Sequence, residues 1–390
     1  MRSSRWLPAL TLTAFAVQTD DFVVIGVLPG LAADLAVPPS AAGQLVTLYS
    51  LGYALTAPLW ALLLARVPPR AVLTCSLAVF TAANLAVPLT EGLGPLLALR
   101  LLAALSAAVA LPCALALTAA QAPPERRGRH LATVMTGLTG AVLLGVPLGA
   151  WAGGLFGWQA AFVLGGLLGA AALAASAATV PASGPVGERR GPVDLIRPLA
   201  SRAVAAVLAA TVLTVAGNIA FQTYLAVFLA GLAGVGPTAL GALLVAAGVG
   251  GLVGTRVSGT LADRVGPGRA FAGAGAVFCA VMVAFALLWW LRPVPVAVVA
   301  LLLVPWSAAA WAVPPALQTL MVARVGTRTA GRALAVHSSS VHVGAALGAV
   351  LGGAAVALGP GLVPAAAALA AALGLAAVPL VRRPRPLPHP

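Results

Sequence analysis

Long apolar segments recur along this chain and limit what it can fold into. Twelve of them lie near 7–29, 41–64, 71–89, 95–117, 130–152, 157–180, 203–229, 237–258, 270–291, 295–320, 331–355 and 361–381. A helix of about 20 apolar residues crosses the ~30 Å hydrocarbon core of a bilayer. Of the 390 residues, 61% are hydrophobic and only 8% are charged, too few charges for a water-soluble chain of this length. The sequence therefore predicts an all-α integral membrane protein with twelve transmembrane helices.

The basic residues predict how such a protein is oriented. All 22 basic residues are arginines, and twenty lie at the segment ends that share a side with the termini. Only Arg292 lies on the opposite side, and Arg100 lies inside a segment. Because cytoplasmic loops collect positive charge, we expect both termini in the cytoplasm. The alternative, a signal peptide cleaved near Ala14–Ala16, would leave an odd number of segments.

The same distribution argues against other classes of partner. A net charge of +14 is compatible with nucleic-acid binding, but its placement beside membrane segments favours the bilayer as the partner. Cys75, Cys113 and Cys279 lie in separate apolar runs and show neither disulfide nor metal-ligand spacing. No nucleotide-binding loop or enzyme motif is present. We expect no metal, no cofactor, no enzymatic activity and no nucleic-acid partner.

The chain also repeats internally. The polar stretch 181–200 separates six apolar segments from six, which predicts an N-terminal bundle at 1–180, a cytoplasmic linker at 181–200 and a C-terminal bundle at 201–390. A shift of 199 residues places Arg70 on Arg269 and Arg129 on Arg328. The same shift superimposes four glycines in one pattern: Gly145, Gly149, Gly153 and Gly154 on Gly344, Gly348, Gly352 and Gly353. Two related six-helix halves with a path between them are typical of transporters.

Two aspartates and one arginine lie inside the apolar segments. Asp20 and Asp21 lie about 20 Å from the predicted cytoplasmic end of the first segment, at ~1.5 Å per residue. Arg100 enters from the other side and reaches a similar depth, ~22 Å from the same face. A buried arginine needs an anion, so one aspartate is expected to pair with Arg100 and the other to exchange protons. The alternative is that both acids only stabilise Arg100 and a water pocket.

Two further stretches carry recognisable patterns. "GTLADRVGPGR" contains Gly259, Asp263, Arg264, Gly266 and Arg269 between the eighth and ninth segments, and its first-half counterpart "LLLARVPPR" lacks the glycine and the acid. "TGAVLLGVPLGAWAGGLFGWQAAF" contains Gly145, Pro147, Gly149 and Gly153, whose glycines share one helix face with Gly157. The simpler interpretations are an ordinary basic loop and plain helix packing.

These stretches resemble the major facilitator superfamily. The loop is similar to its cytoplasmic G-x-L-A-D-R-x-G-x-x-R motif. The fifth segment is similar to the antiporter motif of proton-coupled drug exporters, and "TDDFVVIGVLPGLAADL" resembles the first segment of the bacterial drug-and-sugar efflux branch. The resemblance implies two pseudo-symmetric six-helix bundles. It also implies a monomeric inner-membrane protein of bacteria that exports small organic molecules, such as drugs, in exchange for protons, with the coupling acid at Asp21.

The remaining polar residues of the segments are candidates for the substrate cavity. These are Gln44 and Tyr49 in the second segment, Asn218, Gln222 and Tyr224 in the seventh, Trp311 in the tenth and His342 in the eleventh. Asn218 and Gln222 share a helix face and could bind substrate or join helices. His342 could titrate near neutrality or form a packing hydrogen bond.

Other functions are compatible with the same patterns. A metabolite exporter for sugars, nucleosides or amino acids would share the mechanism, and a proton-coupled importer would share the fold. A membrane sensor that has lost transport is the alternative from another class. Asp20, Asp21 and Arg100 favour transport, and the fifth-segment motif favours export.

Overall fold

The computed structural model describes residues 5–63, 67–123, 126–182, 201–325 and 330–377, and these are helices joined by short turns. The first half contains α1 (Trp6–Asp34), α2 (Pro39–Ala42), α3 (Gln44–Leu63), α4 (Pro69–Leu85), α5 (Leu93–Gln121), α6 (Arg127–Gly140), α7 (Val146–Phe156) and α8 (Gln159–Thr179). The second half contains α9 (Arg202–Thr223), α10 (Leu225–Ala233), α11 (Pro237–Val265), α12 (Pro267–Leu288), α13 (Val296–Val325), α14 (Ala330–Leu358) and α15 (Val363–Ala376).

These helices confirm the predicted fold class. In the described chain, nine helical stretches are long and apolar enough to cross a membrane, and Pro69–Leu85 and Pro360–Ala376 are shorter apolar helices. With α3 they account for all twelve predicted segments, because α6–α7 and α9–α10 each correspond to one. Most of the predicted linker, 183–200, lies outside the described residues, as does Arg328. The exact domain boundaries therefore stay a prediction.

Helix packing repeats between the halves. In the first half α1 packs against α6–α7 and α8, and α5 packs against α3 and α4. In the second half α9 packs against α14 and α15, and α13 packs against α11 and α12. Each contact of one bundle has its counterpart six segments later. Between the bundles, α3 packs on α14 and α7 packs on α11, which are again equivalent pairs.

The hydrophobic core shows which ends of the bundles meet. One cluster of buried side chains contains residues of both halves, among them Leu28, Phe228 and Ala349. It lies at the end of the molecule away from the termini. Toward the end that carries the termini, the core divides into a cluster from the first half alone, including Leu10, and one from the second half alone, including Leu317. The bundles are thus joined at one end and separate at the other.

Three segments differ from their predicted form. The seventh is interrupted at Tyr224, between α9 and α10. The eighth continues to Val265, so Gly259 lies inside a helix and the turn is formed at Gly266, with φ of +86°. The fifth ends at Gly157, with φ of +92°, so this glycine terminates the helix instead of extending its glycine face. A positive φ is a conformation that glycine adopts at little cost, which explains both stops.

Candidate functional site

Arg100 pairs with Asp20 in the interior of the first bundle. Arg100 Nη1 donates to Asp20 Oδ1 at 2.8 Å, and Nη2 donates to the Asp20 carbonyl oxygen at 3.2 Å. The side chains of Arg100 and Asp20 are 1% and 0% exposed. The guanidinium carbon lies 4.4 Å from the ring centre of Tyr49 and 5.4 Å from that of Phe162. Because the ion pair is fully desolvated, removing either charge would leave the other buried without a countercharge.

Several polar atoms around this pair have no partner in the described part of the chain. They are Asp20 Oδ2, Arg100 Nε, Tyr49 Oη, Thr19 Oγ1 and Asn84 Oδ1. Asn84 lies next to Asp20, because a Cβ added to Gly165 would lie 3.4 Å from Asp20 Oδ1 and 3.8 Å from Asn84 Oδ1. Buried polar groups are usually hydrogen-bonded, so this cluster is a suitable environment for ordered water.

Asp21 has a different environment from its neighbour. Its side chain is partly exposed, and no hydrogen bond or ion pair is found for it among the described residues. It interacts electrostatically with Arg100 and with Tyr53. Adjacent helical residues point ~100° apart, which explains why one acid is buried against Arg100 and the other is not. The geometry thus leaves one carboxylate available at membrane depth.

The glycines of the fifth segment let it lie directly on α1. Added Cβ atoms at Gly145, Gly149 and Gly153 would meet Thr19, Val23 and Val27, three residues that are themselves four apart. In the second half Gly344, Gly348 and Gly352 face Val212, Ala216 and Ala220 of α9 in the same way. Because both halves use the stripe, close packing accounts for these glycines.

Pro147 distinguishes the fifth segment from its counterpart. Between α6 and α7, residues Ala141–Gly145 form one π-helical turn, in which the Val146 N–H donates to the Ala141 carbonyl oxygen. Proline has no N–H, so the helix cannot continue its regular bonding through position 147. The wider turn places Val142 and Val146 beside the second bundle, where they line a small pocket.

This pocket, which we call the central pocket, lies between the two halves at mid-depth. It is lined from the first half by Ile25, Val142 and Val146, and from the second half by Gln222, Leu244, Ala247, Gly248, Trp306, Ser307 and Trp311. Its free volume is about 20 Å³. The Trp311 ring meets Phe22 of α1 edge-on, with ring centres 6.1 Å apart. The structure therefore brings Gln222 and Trp311 together at the bundle interface.

A larger cleft opens toward the end that carries the termini. It has a volume of about 730 Å³ and is lined by α1 and α6 residues that are apolar or hydroxyl-bearing, including Thr11, Phe15 and Thr136. None of the described residues that line it is charged. It is large enough for a small organic molecule.

The other cavity candidates lie elsewhere. Tyr224 is fully buried and its hydroxyl donates to the Ala349 carbonyl oxygen at 3.2 Å, so it joins α10 to α14. Gln44 is exposed at the start of α3. His342 stacks on Tyr53 across the bundle interface, with ring centres 3.8 Å apart and planes at 5°. Asn218 donates to Gln222 Oε1 at 3.1 Å, while its own Oδ1 has no partner among the described residues.

The cytoplasmic loop motif makes little contact in this structure. Asp263, Arg264 and Arg269 are exposed, and no ion pair is found for Asp263 in the described chain. Nothing lies within 4 Å of an added Cβ on Gly259. The bundles are separate at this end, which explains why the acid has no partner from the first half.

Three residues make contacts that were not predicted from the sequence. Trp306 lines the central pocket, Tyr53 stacks on His342, and Asp34 Oδ2 accepts a hydrogen bond from Trp158 Nε1 at 2.8 Å. The available signal for Trp306 was its position inside an apolar segment, five residues before Trp311. The Asp34 hydrogen bond joins the end of α1 to the start of α8, at the end of the molecule away from the termini.

Comparison with known proteins identifies the family. A sequence profile described as Major Facilitator Superfamily matches residues 10–349. The chain belongs to the Major Facilitator Superfamily. It is 30% identical over 346 residues to the inner membrane transport protein YdhP of Escherichia coli (strain K12), covering 89% of this chain and 87% of that protein. It is 33% identical over 352 residues to a chloramphenicol resistance protein of Streptomyces lividans, covering 88% and 86%.

A solved structure supports the same assignment of fold. A bacterial homologue of the human lysosomal transporter Spinster, in an inward-facing and occupied conformation, superimposes with a TM-score of 0.75 at 19% identity. The match covers 97% of this chain and 94% of that one. As a superfamily member, the protein is a multi-pass membrane protein that moves a small molecule across the bilayer by alternating access. The separation of its bundles at one end is compatible with that mechanism.

Proposed function

We propose that this superfamily member exports small organic molecules in exchange for protons, with Asp21 as the proton-exchanging group. The observation that carries the proposal is the division of roles between the two acids. Asp20 and the Arg100 guanidinium form an ion pair at 2.8 Å, whereas Asp21 has no such partner within the described residues. An ionisable group that is not held by a fixed countercharge can gain and lose a proton during transport.

The direction and orientation are part of the same proposal. The arginine distribution favours cytoplasmic termini, so the separated ends of the bundles would face the cytoplasm. The cleft there would admit substrate from the cytoplasm, as an exporter requires. A relative of this chain is a chloramphenicol resistance protein, which supports export of a toxic compound. We place the protein, as a monomer, in the cytoplasmic membrane of a bacterium.

Proton release on substrate binding tests the coupling. Purified protein in weak buffer should release protons when chloramphenicol is added, because substrate binding and protonation of Asp21 compete. Asp21→Asn mimics the neutral carboxyl group, so it should abolish proton release and uphill transport in proteoliposomes. Downhill exchange of substrate should persist, because helix packing is unchanged.

Asp20→Asn is the matched control. It removes the same charge one residue away but breaks the Arg100 ion pair, so it should lower thermal stability as well as transport. The two variants should therefore fail differently. If Asp21→Asn still builds a substrate gradient from a proton gradient, Asp21 is not the coupling group.

A further inference from the structure

We propose that the central pocket binds the uncharged hydrogen-bond acceptor of an aromatic substrate, through the indole N–H of Trp306 and the amide N–H groups of Gln222. This inference rests on the proposed function, because it names the class of substrate that the exporter carries. The argument starts from the polar atoms that line the pocket.

Trp306 offers a buried donor without an acceptor. Its side chain is 3% exposed, and Nε1 has no hydrogen-bond partner among the described residues. The ring is held by Phe221, with centres 5.1 Å apart and planes at 75°. A buried N–H that lacks an acceptor costs free energy, so a rigid orphan donor at a pocket indicates that a ligand or water completes it.

Gln222 adds a second donor to the same wall. It is 8% exposed, and its Oε1 accepts from Asn218 Nδ2 at 3.1 Å. With the amide in this orientation Nε2 is left to donate, and no hydrogen bond from it is found among the described residues. Two residues of the second bundle that carry N–H donors thus line one pocket.

The charges around the pocket exclude ionic groups. Within the described residues, no charged side chain lines it. An anion would need a cationic partner, but the arginine found at this depth in the described part of the chain is Arg100, which is bound to Asp20. Asp21 is four residues before Ile25, one helical turn away on the same face of α1, and would repel an anion. A cation is disfavoured in the pocket itself because the free side-chain groups of Trp306 and Gln222 are donors. An uncharged acceptor, such as a nitro, carbonyl or amide oxygen, fits.

The neighbouring aromatic side chains form a surface on which the aromatic ring of the substrate would pack. About 20 Å³ of space holds roughly one water, so only a small acceptor group enters the pocket. Phe22 and the half-buried Trp311 lie beside it and form an aromatic surface shared by both bundles. A flat ring that packs on this surface places its acceptor substituent at Trp306. The substrate would then contact both halves at once, as alternating access requires.

Binding of two probes to the purified full-length chain tests the inference. Chloramphenicol is an uncharged nitroaromatic amide, and tetraphenylphosphonium is an aromatic cation without an acceptor. Calorimetric titration should show that wild-type protein binds chloramphenicol more tightly. Trp306→Phe keeps the ring that packs on Phe221 but removes the N–H. It should weaken chloramphenicol binding roughly five- to tenfold, the effect of losing one buried hydrogen bond, and leave tetraphenylphosphonium binding unchanged.

Trp290→Phe is the control, because Trp290 is 83% exposed and far from the pocket along α12 and its 3₁₀ turn. It should leave the affinity for both probes unchanged. Gln222→Leu removes the other donor, so this second, independent variant should also weaken chloramphenicol binding relative to the wild type. Thermal melting checks that each variant is folded.

The outcomes separate this inference from the proposed function. Tighter binding of tetraphenylphosphonium by the wild type, or equal chloramphenicol affinity in wild type, Trp306→Phe and Gln222→Leu, overturns the inference. If tetraphenylphosphonium nevertheless triggers proton release through Asp21, the proposed function stands. If neither probe binds and neither releases protons, both proposals fail for these substrates and the assignment of an aromatic export substrate is wrong.

Discussion

At the scale of single residues, Arg100 makes three kinds of contact that only a guanidinium combines. One nitrogen donates to the Asp20 carboxylate, another donates to the Asp20 carbonyl oxygen, and the planar face lies over Tyr49. A lysine ammonium is a point charge without a flat face. The residue therefore fixes both the side chain and the backbone of α1 at the position where Asp21 follows.

Substitution of Arg100 tests this role. Arg100→Ala leaves a buried carboxylate without its partner, which typically costs about 3–5 kcal/mol when the charge is retained. Protonation of Asp20 limits that cost, so we expect a folded protein with a lower melting temperature and no substrate-driven proton release. Arg100→Lys should restore part of the activity, because the charge returns without the second hydrogen bond. Wild-type transport by Arg100→Ala proteoliposomes would show that the pair is dispensable.

At the scale of helices, one glycine stripe in each bundle allows two helices to pack closely. The fifth segment lies on α1 through Gly145, Gly149 and Gly153, and α14 lies on α9 through the equivalent glycines. Side chains at these positions would separate the backbones, since the added atoms would overlap Thr19, Val23 and Val27. The π-turn before Pro147 occurs only in the first of these two pairs among the described helices.

The stripes predict similar stability effects in both halves. Gly145→Ala and Gly344→Ala should each destabilise the protein by about 1–3 kcal/mol, as overpacking of a tight interface does. Gly273→Ala is the control, because nothing lies within 4 Å of an added Cβ and the position is exposed inside α12. Thermal unfolding in detergent should show two lowered melting temperatures and one unchanged or slightly raised. Equal melting temperatures for all three variants would contradict the packing role of the stripes.

At the scale of the whole molecule, the bundles share one core at the end away from the termini and have separate cores at the other. Contacts between α3 and α14 and between α7 and α11 connect them. Since these pairs are equivalent in the two halves, the interface has the approximate two-fold symmetry of the repeat. Rocking about such an interface opens one end as it closes the other.

Reporter fusions test the predicted orientation of the chain in the membrane. A reporter that is active only in the cytoplasm should be active when fused after Gly187 and silent when fused after Gly92, because Gly92 precedes α5 at the opposite end. Loops rich in arginine stay on the cytoplasmic side during insertion. Activity after Gly92 with silence after Gly187 would overturn the orientation predicted from the arginines.

Hydropathy was sufficient for the number and order of the helices, and the 199-residue repeat indicated that the two halves are related. The predicted depth in the membrane indicated that Asp20, Asp21 and Arg100 lie close together. It did not indicate which acid binds Arg100, because that depends on the rotation of α1 about its axis. The break at Tyr224 was not predictable, since apolar residues continue after it and the flanking sequence contains no proline. The central pocket was not predictable either, because it requires side chains from five segments that only tertiary packing brings together.

Exposed arginines at the separated ends of the bundles affect the equilibrium between the open and closed arrangements. Arg126, Arg127 and Arg129 of the first half and Arg256, Arg264 and Arg269 of the second are exposed on the separated ends of the bundles. Closing those ends brings charges of one sign toward each other, which opposes the closed arrangement. Ions screen such repulsion over about 8 Å at physiological strength. Repulsion between these arginines thus favours the open arrangement, and we expect a higher salt concentration to make closing less unfavourable.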